Sequence, residues 1–564
     1  MRKKIYKWHR RCAVIIALPV VLWALSGFMH PIMTNIRPRV ATQLYEPSPI
    51  DPSQLTVALS QALQANGITA FSNVHIIRMG GQQFYQVLVD AAHNDIRYIS
   101  TVSGRQLANG DQLYAQFLAR KFLTGSGNTV APEPQALSDH DCCMSAALNI
   151  LNSKGAAILS VEKVNDFKGE YSYINRLLPV YKVGFNRPDG IRIYVETASG
   201  SYAYAVDNKR AVFDKIFGLL HTWNWMNAMG KTKYFIMVLV TALALLTTIM
   251  GLYIFFTTKS KKAGSPASKA RRSHRYTSLA ASLFTLMFSF SGGFHALKAL
   301  WPQQQHSVVA HTFMPTGVDI DFSKMMALTK GDSISGLSLC SIHKRNYWRI
   351  QLSDKKKAAN GRSDLMKNKS VRYRPPLYVE AANGVLLSGG DSLYARYLAQ
   401  AFNQNKGAAI NRVSLVTKFT NEYGFINKRL PVWRVSYNTR GNQHLYIDTK
   451  AGVLAARVDD NDMAEGYSFA LLHKHHFMDW AGKATGDVST MIAAGLQVLL
   501  VIVGIFLFIR TRKRTRIGNT TAAQTRGQTK AEGSASRFYG NYNTQAVQAQ
   551  KQSKDDNYSG HNQL

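Results

Sequence analysis

Four apolar runs divide the chain: residues 12–29 (CAVIIALPVVLWALSGFM), 234–256, 279–300 and 491–509. Each is nearly free of charge and long enough to cross roughly 30 Å of hydrocarbon as a helix, which satisfies its own backbone polar groups. Between the runs the period of the pattern changes. VALSQALQANGI has helical spacing, FYQVLVD and IRYISTVSG alternate as antiparallel strands do, and Gly104 is placed for a hairpin turn. The same texture returns in LPVYKVGF, IRIYVETASG and SYAYAVD. The pattern predicts a membrane α-helical protein with four transmembrane helices and two exported α+β domains, residues 31–233 and 301–487. These segments hold 203 and 187 residues, enough for cores of their own and for about two small α+β modules each.

The predicted order begins with a cytoplasmic N-terminus and first helix at 1–30, then the first exported domain at 31–233 and the second helix at 234–256. A basic loop at 257–278 leads to the third helix at 279–300, the second exported domain at 301–487 and the fourth helix at 488–510. Residues 511–564, rich in Gln, Thr, Asn, Gly and Ser, have little to bury and are expected to be a disordered tail.

Basic flanks orient the spans, because Lys and Arg close to a helix end are retained in the cytoplasm. Arg2, Lys3, Lys4, Lys7, Arg10 and Arg11 precede the first run, KSKKAGSPASKARRSHR joins the second and third, and Arg510 with RKRTR follows the fourth. Both termini are therefore expected in the cytoplasm. The net charge of +35 has its densest clusters beside the spans, where insertion and anionic lipid account for them, so no nucleic-acid partner is expected. The first run ends in SGFMHPIM without a small-x-small cleavage site, which reads as a retained anchor.

Aligned against itself, the chain matches at three offsets, as an internal duplication with altered loop lengths does. At 265, His9-Arg10 and SGFMH ending at His30 fall on His274-Arg275 and SGGFH ending at His295. At 280, GDQLYAQFLARKF from Gly110 meets GDSLYARYLAQAF from Gly390. At 252, EYSYINRLLPVYKV from Glu170 meets EYGFINKRLPVWRV from Glu422, and FGLLHTWNWM with His221 meets FALLHKHHFM with His473.

Six histidines thus hold corresponding places: His9 and His274, His30 and His295, His221 and His473. An imidazole at the edge of a membrane helix is costly unless wetted, paired or metal-bound, and facing helices can offer one ring to each face of a haem. His9 and His30 lie 21 residues apart, about 31 Å along a helix, too far for one haem. Ligands at two depths are expected, His9 and His274 near the cytoplasm and the other four near the outer face. The competing reading for His9 and His274 is a solvated or phosphate-binding ring at the headgroup boundary. His475 and His476 are replaced by Trp223 and Asn224 in the first half, which favours a structural or alternative-ligand role. Trp8, Trp23, Trp223, Trp225 and Trp480 read chiefly as interfacial anchors.

The first half also carries an insertion. The interval from Phe122 to Gly155 is 28 residues longer than that from Phe402 to Gly407, and it contains SDHDCCMS. His140, Cys142 and Cys143, with Asp139, Asp141 and Met144 beside them, are soft and borderline ligands for copper or another metal. A disulfide, for which Cys340 is one candidate partner, is the plainer use. The absence of a CxxCH motif speaks against covalently attached haem.

The openings WHRRCAVIIALPVVLWALSG and SHRYTSLAASLFTLMFSFSGG, and the LLH-then-GK entries to the returning spans, resemble the PepSY-associated transmembrane protein family. The exported helix-plus-hairpin modules look like PepSY domains, and the resemblance covers essentially residues 1–510. It implies a bacterial inner-membrane, multi-pass protein similar to ferric-siderophore reductases, with haem b, two groups in number, held by His9, His30, His221, His274, His295 and His473. It further implies electron delivery to a periplasmic ferric-siderophore complex for iron acquisition. The HDCCM insertion departs from the family pattern.

No GxGxxG follows a strand and no P-loop is present, so a quinol or a cytoplasmic or membrane donor must supply electrons. The alternative function is non-enzymatic: the exported modules bind a peptide, protease or metal ligand as a sensor or regulator. A transporter is disfavoured, since four spans without Gly/Pro-broken repeat pairs leave little for a translocation path.

Overall fold

A computed structural model describes residues 2–38, 40–124, 156–259, 264–301, 311–353 and 370–510. Four helices in it are long and apolar enough to cross a membrane: α1 (Arg2–Asn35), α5 (Lys231–Thr257), α6 (Pro266–Lys298) and α10 (Lys483–Arg510). α1 and α6 run more than two turns N-terminal to their apolar stretches, because their basic leaders contain no helix breaker and continue the same backbone hydrogen-bond ladder. The expected tail and the SDHDCCMS insertion, with His140, Cys142 and Cys143, lie outside the described residues.

The chain divides into two compact units. The first comprises residues 1–25, 243–286 and 492–564, and its described part is helical. Buried side-chain hydrogen bonds tie its helices: Gln497 accepts from the Thr285 hydroxyl at 2.7 Å and donates to the Ala281 carbonyl at 3.1 Å. Such bonds matter where lipid offers no alternative partner.

The second unit, residues 26–242 and 287–491, contains the α+β structure. After α2 (Leu59–Ala65) come β1 (Asn73–Met79), β2 (Gln82–Asp90), β3 (Asp95–Ser100) and α3 (Gly110–Thr124). β4 (Ile158–Val164), β5 (Val180–Phe185), β6 (Arg192–Glu196) and β7 (Ser201–Val206) then form an antiparallel meander, followed by α4 (Asn208–Leu220). The order repeats as α7 (Phe322–Leu328), β8 (Ile334–Ile342), β9 (Arg345–Leu352), β10 (Leu377–Glu380), α8 (Gly390–Phe402), β11 (Ile410–Val416), β12 (Val432–Tyr437), β13 (His444–Asp448), β14 (Val453–Val458) and α9 (Asp460–Ser468).

Two modules per segment are present, but the first of each pair does not stand alone. β1 and β8 pair antiparallel, giving one six-stranded sheet in the order β10-β9-β8-β1-β2-β3. Each three-stranded piece would otherwise leave a long open edge, and joining the edges satisfies both. His75 faces Ser338 across that seam, and the two occupy corresponding registers, against Gln86 and Arg349.

One face of the six-stranded sheet holds a core of Val74, Ile76, Val87, Leu337, Leu339, Trp348 and Ile350 under α2 and α7. Burying each large apolar side chain contributes about 1.5–3 kcal/mol. The opposite face carries α3 and α8, each sandwiched against a four-stranded sheet. Glycine is required where each of these helices starts: a Cβ on Gly110 would lie 2.7 Å from Tyr98, and one on Gly390 would lie 2.6 Å from Tyr378. Cys340 is not in a disulfide. It is a buried free thiol in the α8 core, its Sγ donating to the Tyr347 carbonyl at 3.5 Å.

Candidate functional site

The helical repeat places Ser26 and His30 one turn apart near the end of α1, and Ser291 and His295 likewise in α6. α4 ends at its cap, His221, and the corresponding FALLH segment, Phe469–His473, forms a single widened i→i+5 turn ending in His473. Such turns interrupt a helix at the cost of regular hydrogen bonding and recur at functional positions.

These elements bring His221 and His473 together. Their ring centroids are 5.9 Å apart and the planes nearly perpendicular, at 82°. Each ring is fixed the same way. Ser26 Oγ lies 3.0 Å from His221 Nδ1, and Ser291 Oγ lies 3.1 Å from His473 Nδ1. Both serines are buried, at 0% and 1% exposure, so these contacts have no competition from water.

Phenylalanines extend the contact outward in both directions. Phe217 stacks on His221 at 4.6 Å and meets His30 at 5.3 Å; Phe469 stacks on His473 at 4.9 Å and meets His295 at 5.0 Å. Six rings form one run, His30–Phe217–His221–His473–Phe469–His295. Its two ends differ. Lys474 Nζ lies 3.0 Å from His30 Nε2, whereas His295 Nδ1 lies 2.6 Å from Glu465 Oε1 and the His295 side chain is 61% exposed.

Burial first, then the neighbouring His221, Lys474, His295 and His30, hold the His473 imidazole well below its ordinary pKa and hence neutral. Burial, with Lys483 adding to it and Asp487 opposing, pushes Lys474 down to about 8.

His475, set aside by the sequence, is wholly buried. It stacks on Phe288 at 5.6 Å and its Nδ1 lies 2.9 Å from Ser489 Oγ. It holds a left-handed backbone at φ 53°, as the corresponding Trp223 does at φ 50°. In both halves this residue turns the chain into the short 3₁₀ helix that precedes the returning span.

His9 and His274 lie in the helical unit. His9 Nδ1 is 3.0 Å from the Thr247 carbonyl, and His274, within electrostatic reach of His9, has a buried Nδ1 without a hydrogen-bond partner. Each ring rests on a glycine of a returning helix. A Cβ on Gly251 would stand 3.1 Å from the His9 ring and one on Gly504 would stand 3.6 Å from the His274 ring.

The donor set therefore consists of imidazoles in pairs. Among the described residues no group of three or more His, Cys, Asp or Glu side chains converges as a bare-ion site would need. His221, His473 and His9 have Nδ1 held by a hydroxyl or carbonyl oxygen, which leaves Nε2 to coordinate and suits a macrocycle that brings its own equatorial ligands. His274, with Nδ1 unpartnered, and His30, with Lys474 Nζ at its Nε2, lack that arrangement.

The sequence located the histidines through their repetition but passed over Ser26, Ser291, Phe217 and Phe469, which repeat in the same motifs. Lys474 and Glu465 belong to one half only, and no repeat marks them. Of the five tryptophans, Trp8, Trp225 and Trp480 are exposed at 55%, 63% and 84%, while Trp223 is buried.

No curated protein matches the chain. The PepSY-associated TM region family matches residues 6–370, which take in the first half, the third span and the three-stranded piece of the second half as far as β9. With that match over more than half its length and four apolar helices, the chain is a membrane protein belonging to the PepSY-associated TM region family.

Proposed function

We propose that the chain is a haem-containing inner-membrane reductase that passes electrons across the bilayer to a ferric, siderophore-type complex in the periplasm. The observation that carries this reading is the His221–His473 contact, with a buried serine on Nδ1 of each ring. In this reading the two halves descend from one duplicated unit, both termini are cytoplasmic, and the α+β unit, built of PepSY-like modules, faces the periplasm.

Haem b, when bound, would supply one-electron redox chemistry, and the histidines named below would hold it. His221 and His473, with His30 and His295 beside them, form the outer ligand set, and His9 and His274 the inner one. Ser26 and Ser291 fix the ring orientation, and where Nδ1–H donates to the serine oxygen Nε2 is presented unprotonated. Burial keeps His473 neutral, the state that coordinates iron. Glu465 and Lys474 place opposite charges at the two ends of the ring run. A quinol or a cytoplasmic donor would supply electrons on the side of His9 and His274, and a periplasmic ferric chelate would be the acceptor on the side of His221 and His473. Oxygen chelators bind ferrous iron more weakly, which releases the metal for uptake.

The purified full chain is expected to show a Soret band, bis-imidazole spectra and about two haems per chain. His221→Ala and His473→Ala should each lose the outer haem while inserting normally, and dithionite-reduced protein should reduce ferric complexes added to it. Folded protein without haem would defeat the proposal and favour a binding or sensory role for the α+β unit.

A further inference from the structure

The first residue pair of α3, Gly110-Asp111, corresponds to Gly390-Asp391 at the start of α8. In the second half the carboxylate is enclosed. Asp391 is 4% exposed; its Oδ1 accepts from Tyr378 at 2.7 Å, and its Oδ2 accepts from both the Tyr373 hydroxyl and Trp433 Nε1 at 2.7 Å. Arg349 Nε stands 3.6 Å from Oδ1. Tyr373 reaches this position on the long connection between β9 and β10, its ring edge-on to Trp433 at 6.2 Å.

In the first half a tyrosine again donates to the carboxylate, and among the described residues no ring stands where Tyr373 stands. Tyr98 donates to Asp111 Oδ1 at 2.8 Å, and Tyr181, the counterpart of Trp433, and Thr197 also bond the carboxylate. Gln86 stands in the register of Arg349. The connection from β2 to β3 is only residues 91–94, too short to supply a ring as Tyr373 does. Among the described residues an open hollow of about 200 Å³ remains over Asp111, its lining including Asp95, Arg97, Tyr98, Asn109, Gln112 and Tyr181. The insertion beside α3, residues 125–155, contains no Tyr, Trp or Phe to fill it.

We propose that this hollow is a binding site for a neutral phenol from outside the chain, which takes over Asp111 the place that Tyr373 takes over Asp391. The phenol ring lies against Tyr181 as Tyr373 lies against Trp433, and its hydroxyl donates to the Asp111 carboxylate, which has lone-pair capacity left. Tyr98, Tyr181 and Thr197 already donate to that carboxylate, so a ring without the hydroxyl only forgoes the added bond and is held more weakly. The phenol is the recognised chemistry, whether carried on a small molecule or on a tyrosyl side chain. The site is separate from the histidines and independent of whether haem is bound.

The test is photolabelling of the full chain in detergent with a diazirine-bearing p-cresol and its toluene analogue, followed by peptide mapping. The phenol probe is expected to label the Asp95–Gln112 region at least ten times more than the toluene probe. Asp111→Asn, and Gln112→Trp at the exposed mouth, should each reduce labelling to the toluene level. Tyr373→Ala should open a second labelled site beside Asp391, whereas Tyr373→Phe should not. Competition by N-acetyl-tyrosinamide above p-cresol assigns a tyrosyl ligand, and the reverse order a small phenol. Equal labelling by both probes, unchanged labelling in both Asp111→Asn and Gln112→Trp, or a folded Tyr373→Ala without a second site overturns the proposal.

Discussion

Around the histidines the two halves repeat one another closely, while at the seam of the α+β unit they diverge. Ser26–His221 and Ser291–His473 differ by only 0.1 Å in length, at 3.0 and 3.1 Å, and each histidine carries a stacked phenylalanine. Across the seam His75 meets Ser338, Gln86 answers Arg349, and Leu177 answers Arg429. Under the proposed function the two histidines hold one group and must offer the same atom in the same orientation, which leaves little freedom to vary. A buried charge cluster must only balance, and one cation can serve two anions.

Arg429 does this. It is buried and donates to Glu196 Oε1 at 2.8 Å and to Asp448 Oδ2 at 3.2 Å, and these two acids are counterparts in the two halves. The sharpest way to break the comparison is to restore symmetry with Arg429→Leu, the residue of the first half. That leaves two carboxylates buried without their cation, a loss of about 3–5 kcal/mol. Thermal unfolding of the full chain in detergent should show it, and adding Glu196→Gln with Asp448→Asn should recover most of the loss. Arg429→Leu with wild-type stability would mean that the cluster does not hold the halves together.

The sequence was readable wherever a feature is periodic or repeated. Apolar runs gave the spans, alternation gave the strands, and the repeated SGxxH and FxLLH motifs gave the histidines. What was not readable arises from pairing between distant segments. That β1 joins β8 depends on two edges meeting, and neither edge records its partner in its own pattern. Lys474 beside His30, Glu465 beside His295 and Arg429 between two acids occur once each, so no self-alignment singles them out. The partners of the histidines were in the quoted motifs, but a serine or phenylalanine in an apolar helix reads as ordinary packing until the fold sets it against a ring.

A smaller effect separates Asp391 from Asp111. Burial raises Asp391, but Arg349 and the bonds from Trp433, Tyr373 and Tyr378 outweigh it and hold the carboxyl below its ordinary range. Its contribution is therefore fully present above that range and is lost as pH falls through the depressed value. Burial dominates at Asp111 and raises it. Ionising Asp111 works against folding at neutral pH, and that penalty disappears as pH falls below the ordinary carboxylate range. Asp391→Asn should cost about 2–3 kcal/mol at pH 7 by leaving buried Arg349 without its anion, and less in acid. Asp111→Asn should change stability by under about 1 kcal/mol. Hydrogen exchange at α8 and α3 as a function of pH distinguishes the two, and equal effects would erase the contrast.

The finest test lies on the side where the halves agree. Ser26→Ala and Ser291→Ala each remove one hydroxyl from the Nδ1 of a single ring, leaving its stacking on Phe217 or Phe469 intact. Loss of such an outer contact typically lowers affinity for the bound group by about 10–100-fold. If His221 and His473 serve as the two axial ligands of one group, the two variants should weaken haem retention by the same factor, and the double variant should fall to the level of a histidine deletion. The readout is haem transfer to an apo-acceptor, followed by the Soret band, which does not depend on reductase turnover. A large effect for one serine and none for the other would show that the two rings, though alike in geometry, do different work, and that the resemblance between the halves stops short of the ligands.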